Sequence, residues 1–173
     1  MGRKFDRNEY FLSALMMSAE IFKSAAKLLE PEISRVHQRE ALGKVVIGTV
    51  EGDIHDLGKN IVVAFLESAG FKVYDLGVDV SPGKFISKVK ETKPEILGLS
   101  CLLTPGFESM EATIKKLSEA GLRKRLKVII GGAAGAVVTS DWVDRLGADA
   151  FARDSGEGVR LAKTFVKALK KRN

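Results

Sequence analysis

From Lys44 onward, short β-branched runs alternate with stretches of helical periodicity, and that alternation leaves few folds open to the chain. Val45-Val46-Ile47-Gly48 reads as a buried first strand and Phe71-Lys72-Val73-Tyr74-Asp75 as a second. Ile96 to Ser100 gives a third, Leu126 to Ile130 a fourth that runs into Gly131-Gly132, and Asp149 to Phe151 a short fifth. Between them the spacing predicts helices over 58–68, 82–91, 108–120, 140–146 and 156–170. Gly70 and Gly121 close two of these, and Ser81 followed by Pro82 opens another. Strands separated by helices of about ten to fifteen residues form a parallel sheet covered on both faces. The expected fold is α/β: a doubly wound, flavodoxin-like (Rossmann-like) five-stranded parallel sheet of order 2-1-3-4-5.

The first forty residues follow a different rule. Phe11, Leu12, Leu15, Met16, Ala19, Phe22, Ala26 and Leu29 recur at three- and four-residue steps, the stripe of an amphipathic helix from Asn8 to about Glu30. Pro31 interrupts or ends it, and the polar span Glu32 to Glu40 leads into a linker. The expected division is therefore 1–40, a helical segment and linker, and 41–173, the sheet domain. With 45% hydrophobic and 29% charged residues, the chain supports a packed core and does not read as disordered. No apolar run approaches the roughly 20 residues that span a bilayer, and the charged start lacks the apolar stretch of a signal peptide. A single cysteine, Cys101, excludes an internal disulfide framework, so a reducing cytoplasm is expected.

The net charge of +6 comes largely from Arg123-Lys124-Arg125 with Lys127 and from the lysines between Lys163 and Arg172. The first cluster interrupts a helix-to-strand connection and the second lies on the outside of a terminal helix. Neither is interleaved with aromatics that would stack on bases, so no nucleic-acid role is expected. A docking surface for an acidic partner protein stays open.

Ligands of doubly wound sheets bind outside the carboxyl ends of the strands, where strand order reverses. That crevice lies between the first and third strands. It collects the loop Glu51-Gly52-Asp53-Ile54-His55-Asp56-Leu57-Gly58 and the segment Ser100-Cys101-Leu102-Leu103-Thr104. Topology alone thus brings Asp53, His55 and Ser100 together. A loop histidine is most often a solvated one, but Asp53 stands where its carboxylate would accept the second ring N–H, as metal-bound imidazoles require. Ser100 is placed to hydrogen-bond that carboxylate in turn. No second ligand completes a zinc site, because His37 sits in the polar linker and Cys101 points away from Ser100 in an extended strand. One imidazole as sole protein ligand suits a metal that arrives with a macrocycle. Gly58 and Gly131-Gly132, with Ala133, Ala134, Gly135 and Ala136 beyond, leave room for a large planar group with a tail, although a double glycine is also an ordinary turn. Neither a phosphate-binding lysine loop nor a dinucleotide glycine fingerprint follows the first strand.

At these positions the chain resembles the cobalamin-binding domain family, whose signature D-x-H-x-x-G, then S-x-L, then G-G appears as Asp53-Ile54-His55-Asp56-Leu57-Gly58, Ser100-Cys101-Leu102 and Gly131-Gly132. Phe5 to Leu12 and Met16 to Glu20 look like the later part of the helical cap that precedes the Rossmann-like domain in methionine synthase and in corrinoid proteins of anaerobic methyltransferase systems. The family cap is a four-helix bundle of which the resemblance accounts for about half, as expected of a trimmed start, of helices supplied by a partner or of a vestigial cap; each would leave apolar surface for self-association through the cap helix.

The resemblance implies cobalamin or a related cobamide bound base-off, with His55 as lower axial ligand and Asp53 and Ser100 as a relay behind it. Gly52, Ile54, Asp56, Leu57 and Gly58 would line the ligand loop. The nucleotide tail would run beside Ser100, Leu102, Leu103, Thr104, Gly131, Gly132 and Ala133, and Phe11, Leu15 or Met16 would shield the upper face. It further implies a methyl carrier in one-carbon metabolism, working between donor-side and acceptor-side methyltransferase subunits and not catalytic alone. Two alternatives share the motif: the cobalamin-binding subunit of an adenosylcobalamin-dependent mutase, and a corrinoid sensor or storage module. The cap-like helix argues against the first, and the lack of an evident DNA-binding helix pair against the second.

Overall fold

The computed structural model describes residues 41–103, 105–132 and 140–171, together with Met17, Ile21, Ser24, Ala25 and Leu28. The chain divides into two compact units, Met1–Glu40 and Ala41–Asn173. Those five early positions are helical. The rest of the helix expected from Asn8 to Glu30, the linker with His37, and Thr104 and Ala133 lie outside the described residues.

The second unit is built as β1 (Lys44–Thr49), α1 (Leu57–Ser68), β2 (Lys72–Asp75), α2 (Pro82–Thr92), β3 (Ile96–Cys101), α3 (Gly106–Glu119), β4 (Lys127–Gly132), α4 (Ser140–Leu146), β5 (Ala150–Ala152) and α5 (Ser155–Lys170). The sheet order is β2-β1-β3-β4-β5, and every pairing is parallel. This is the expected doubly wound fold. Successive side chains of a strand face opposite sides, so each strand feeds two cores. Val45, Ile47, Ile96 and Ile129 face Leu66 of α1 and Ala162 and Val166 of α5. Val46, Leu97, Leu99, Val128 and Ile130 face Phe85, Met110, Leu117 and Leu146 of α2, α3 and α4. Burial on both faces is why the central strands read as nearly continuous apolar runs.

Two local features decide between the readings above. Gly131 and Gly132 belong to β4 itself, in register with Ser100 and Cys101, so the double glycine ends a strand instead of making a turn beyond it. At Gly132 the backbone takes φ 127°, and a Cβ there would collide with the Cys101 carbonyl oxygen; only glycine fits. The basic cluster is half structural. Arg123 reaches Asp149 at 2.8 Å and Lys127 reaches it at 2.6 Å, which pins the approach to β5 at the end of the sheet opposite the crevice.

Candidate functional site

The loop after β1 is held from three sides before it presents any side chain. Val50 N–H donates to the Ser100 carbonyl at 3.0 Å and Asp79 N–H to the Asp53 carbonyl at 3.0 Å. Gly52, at φ 84°, turns the chain, and its N–H donates to Asp79 Oδ1 at 2.8 Å. Asp79 itself adopts φ 51°, a conformation Asp tolerates better than most residues. The Thr49 hydroxyl donates to the His55 carbonyl at 3.0 Å.

Within this frame the Asp53 carboxylate is wholly buried while the His55 side chain is 50% exposed. Asp53 Oδ1 accepts the His55 backbone N–H at 2.9 Å and ring Nδ1 at 2.7 Å. Its Oδ2 accepts the Leu102 N–H at 2.5 Å and the Leu103 N–H at 3.4 Å. Burial alone would raise the carboxyl pKa. The amides of His55 and Leu102, the His55 ring and the Leu103 amide outweigh that and bring it to about 2. A permanent carboxylate at Nδ1 fixes the tautomer and leaves Nε2, which has no protein partner among the described residues, as the nitrogen available to a ligand.

The Asp53–His55 contact expected from the two-residue spacing is formed. The contact expected between Asp53 and Ser100 is not. Oδ2 is already taken by the amides of Leu102 and Leu103, where the chain leaves β3. Ser100 instead lines the cavity described below. Cys101 points to the opposite face, as strand alternation requires. Its Sγ donates to the Leu103 carbonyl at 2.9 Å, and burial pushes the thiol pKa up to about 11.

One structural pair has no counterpart in the sequence expectations. The Lys59 side chain is only 1% exposed and its Nζ reaches Asp75 at 2.5 Å and Asn60 Oδ1 at 2.7 Å. Asn60 in turn donates to Asp56 Oδ2 at 2.8 Å. These contacts tie the first turn of α1, and with it the His55 loop, to the end of β2. A lysine in a first helical turn ordinarily reads as solvated; the available signal was Asp75, which register places on the strand beside β1.

Beneath His55 a cavity of about 380 Å³ opens between the sheet and helices α1 and α5, within the size range of small-molecule sites. His55, Gly58, Ser100, Gly131, Gly132 and Leu102 border it, as do Arg153, Asp154 and Ser155 at the start of α5. A Cβ on Gly58 would meet nothing within 4 Å, so the helix backbone leaves open space on this side. Ile54, Val78, Leu102 and Leu103 are exposed on the loops that follow β1, β2 and β3, apolar side chains at the end of the sheet where the cavity opens. Ile54, at 74% exposure, is the most prominent of the four.

Among the described residues no group of three or more His, Cys, Asp or Glu side chains converges to hold a metal ion. Residues 43–162 match the family model of the B12 binding domain. The chain belongs to that family. The B12-binding region is similar, together with nearly all the remaining chain, to dimethylamine corrinoid protein 3 of Methanosarcina acetivorans, with 43% identity over 96% of this chain and 76% of that one. Among solved structures it is similar to a cobalamin-binding protein from Desulfitobacterium hafniense, at TM-score 0.71 and 41% identity over 95% of this chain and 75% of that one. A methanol:cobalamin methyltransferase complex from Methanosarcina barkeri matches at TM-score 0.69 and 26% identity, over 99% of this chain and 66% of that one. The ligand loop, the β3 end and the β4 glycines all fall inside the B12-binding span. No helix among the described residues is long and apolar enough to cross a membrane.

Proposed function

We propose that this B12-binding chain is a corrinoid protein carrying a methyl group on cobalt between separate methyltransferases, with His55 as the protein's ligand to the metal. The observation that carries this reading is an imidazole whose Nδ1 is held by a buried carboxylate, set over a deep apolar cavity. His55 Nε2 would hold the cobalt as the lower ligand. Gly58, Ser100 and Gly131, which border the cavity, would hold the tail of cobalamin or a related cobamide bound base-off. The bound corrinoid supplies a metal–carbon bond from which the methyl group is transferred.

The chain's own residues do the rest. Asp53 stays ionised, keeps the proton on Nδ1 and aims Nε2 outward. Asp53 would keep its hydrogen bond to Nδ1, and so the orientation of the ring, whether or not Nε2 holds the metal. Ile54, Val78, Leu102 and Leu103 form an apolar bed beside the ligand and keep water from it. Gly58 and Gly131 allow close backbone approach. Ser100, facing the cavity, contacts the tail and does not relay to Asp53. Substrate specificity for donor and acceptor then resides in the partner enzymes, for which the methylamine and methanol systems of the related proteins are the models. A cytoplasmic setting suits the buried Cys101 thiol, and the first unit offers Met17, Ile21 and Leu28, all exposed, for contact with a second copy or a partner.

The test is transfer itself. Protein loaded with isotopically labelled methylcobalamin is mixed with acceptor-side methyltransferases of corrinoid systems, and then, demethylated, with donor-side enzymes and methylamines or methanol. Label should leave in the first reaction and return in the second. Retention of label with every partner would replace the carrier reading with a sensor or storage role.

A further inference from the structure

We propose that Lys59 is a positioning residue for the metal-binding imidazole: its buried ammonium, clasped by Asp75, fixes the start of α1 and with it the point from which His55 presents Nε2. The task of Nε2 rests on the corrinoid reading above, whereas the placement of the ring does not.

The two ends of the loop after β1 are held differently. At its beginning Val50, Gly52 and Asp53 are tied through their backbones to Ser100 and Asp79. At its far end stands the first turn of α1, two residues beyond His55, and that turn is built to fray. Asp56 occupies the N-cap in a helical conformation and makes no side-chain cap hydrogen bond to the helix. Its carboxylate accepts from the Asn60 side chain instead. Gly58 is a poor helix former. The first turn holds no acidic residue, and Lys59 puts a cation where the helix dipole disfavours one.

Burial adds a desolvation cost to that cation. The Lys59 side chain is 1% exposed on a helix that continues as Ile61-Val62-Val63-Ala64-Phe65-Leu66, where an apolar side chain would fill the same space without that cost. Buried ion pairs return little net stability; what this one fixes is geometry. Nζ lies 2.5 Å from Asp75 Oδ2 and 2.7 Å from Asn60 Oδ1. Asn60 Nδ2 donates to Asp56 Oδ2 at 2.8 Å and the Asn60 N–H to the Asp56 carbonyl at 2.8 Å. Asp75 is anchored in turn: it pairs with Ile47 in the sheet, and its Oδ1 accepts the Gly77 N–H at 2.9 Å. A line of contacts therefore runs from the end of β2 through Lys59 and Asn60 to the residue next to His55. Asp53 decides which ring nitrogen faces outward, and Lys59 decides where the ring stands. A metal ligand has to be held to about 0.5 Å, which a fraying turn does not provide.

The experiment compares the full chain, without cofactor, as wild type, Lys59→Met, Asp75→Asn and the double variant. In Lys59→Met, amide hydrogen exchange over 55–60 should rise about tenfold while β3, β4 and the urea midpoint stay near wild type. Ring ¹⁵N NMR of neutral His55, assigned by its loss in His55→Ala, should show the Nδ1–H tautomer in wild type and a mixture in the variant. The double variant should match Lys59→Met within about twofold, because both remove the same bridge. Affinity for methylcobalamin should fall about tenfold in each. Lys59 also borders the cavity, and a lysine that only touched the cofactor would leave exchange and tautomer of the cofactor-free variant unchanged; that result overturns the proposal. Exchange that rises equally across the second unit with a lowered urea midpoint marks a merely structural lysine, and additive effects in the double variant mark two separate roles; either also overturns it. If wild type itself fails to bind methylcobalamin, the corrinoid reading falls, while exchange and tautomer still decide the role of Lys59.

Discussion

Replacing Asp53 by Asn tests how the ligand loop is held together, and its effect can be worked from the contacts. The carboxylate accepts four N–H groups, two on each oxygen. An amide has one acceptor oxygen. Whichever way it turns, its NH2 faces either the His55 pair or the Leu102 and Leu103 amides, so buried donors meet a donor. One unsatisfied buried group costs about 1–3 kcal/mol, and charge-assisted bonds are lost as well; the expected destabilisation at pH 7 is about 3 kcal/mol. The pH dependence gives a second measure. The folded pKa of about 2 lies below the reference 3.8, so the unfolded chain takes the proton first. Each pH unit between those two values is worth about 1.4 kcal/mol. Asp53 therefore contributes about 2 kcal/mol above pH 4, and this is lost as pH falls through 2. Urea unfolding of the cofactor-free protein, followed by Trp142 fluorescence, reads the second unit, where the tryptophan ring lies 4.9 Å from that of Phe107. The difference between wild type and Asp53→Asn should be full at pH 7 and shrink toward pH 2. A variant within about 0.5 kcal/mol of wild type at pH 7, with a parallel pH profile, would refute the reasoning.

Gly58→Ala separates folding from binding: the added methyl meets no atom, so the cofactor-free protein should gain about 0.5 kcal/mol in urea unfolding while methylcobalamin affinity falls at least tenfold. Gly132→Ala has no such tolerance, since the new Cβ collides with the Cys101 carbonyl at a positive φ; a loss of about 3 kcal/mol or more, or failure to express folded, is expected. Cys101, with its thiol pKa raised to about 11 by burial, should resist iodoacetamide at pH 8 in the native protein and react promptly in urea.

Strand order and the covering of both sheet faces were legible because strands alternate with helices along the chain. The pairing of Asp53 with His55 was legible too, since a two-residue spacing in a loop leaves few other arrangements. What failed was the reach of Ser100. The sequence cannot display backbone amides, and those of Leu102 and Leu103 claim the oxygen a serine hydroxyl was expected to bond. The same blindness hid the anchoring of Gly52 by Asp79, which needs a left-handed Asp. The crevice was expected at the switch point, but its depth was not legible: Gly98, Ala152, Gly158 and Ala162 are scattered over three elements and each alone reads as ordinary packing. Lys59 was passed over because charge suggests solvent, and only the folded register shows Asp75 beside it.

The central claim is that His55 nitrogen binds cobalt, and electron paramagnetic resonance of the cobalt(II) corrinoid form tests it most directly. Protein grown with ¹⁵N-histidine and loaded with unlabelled cofactor should show its cobalt lines split into doublets, where natural-abundance protein gives triplets, and His55→Ala should lose the histidine splitting altogether. Triplets that persist in the labelled protein would mean the axial nitrogen comes from the cofactor's own base, and would contradict the account.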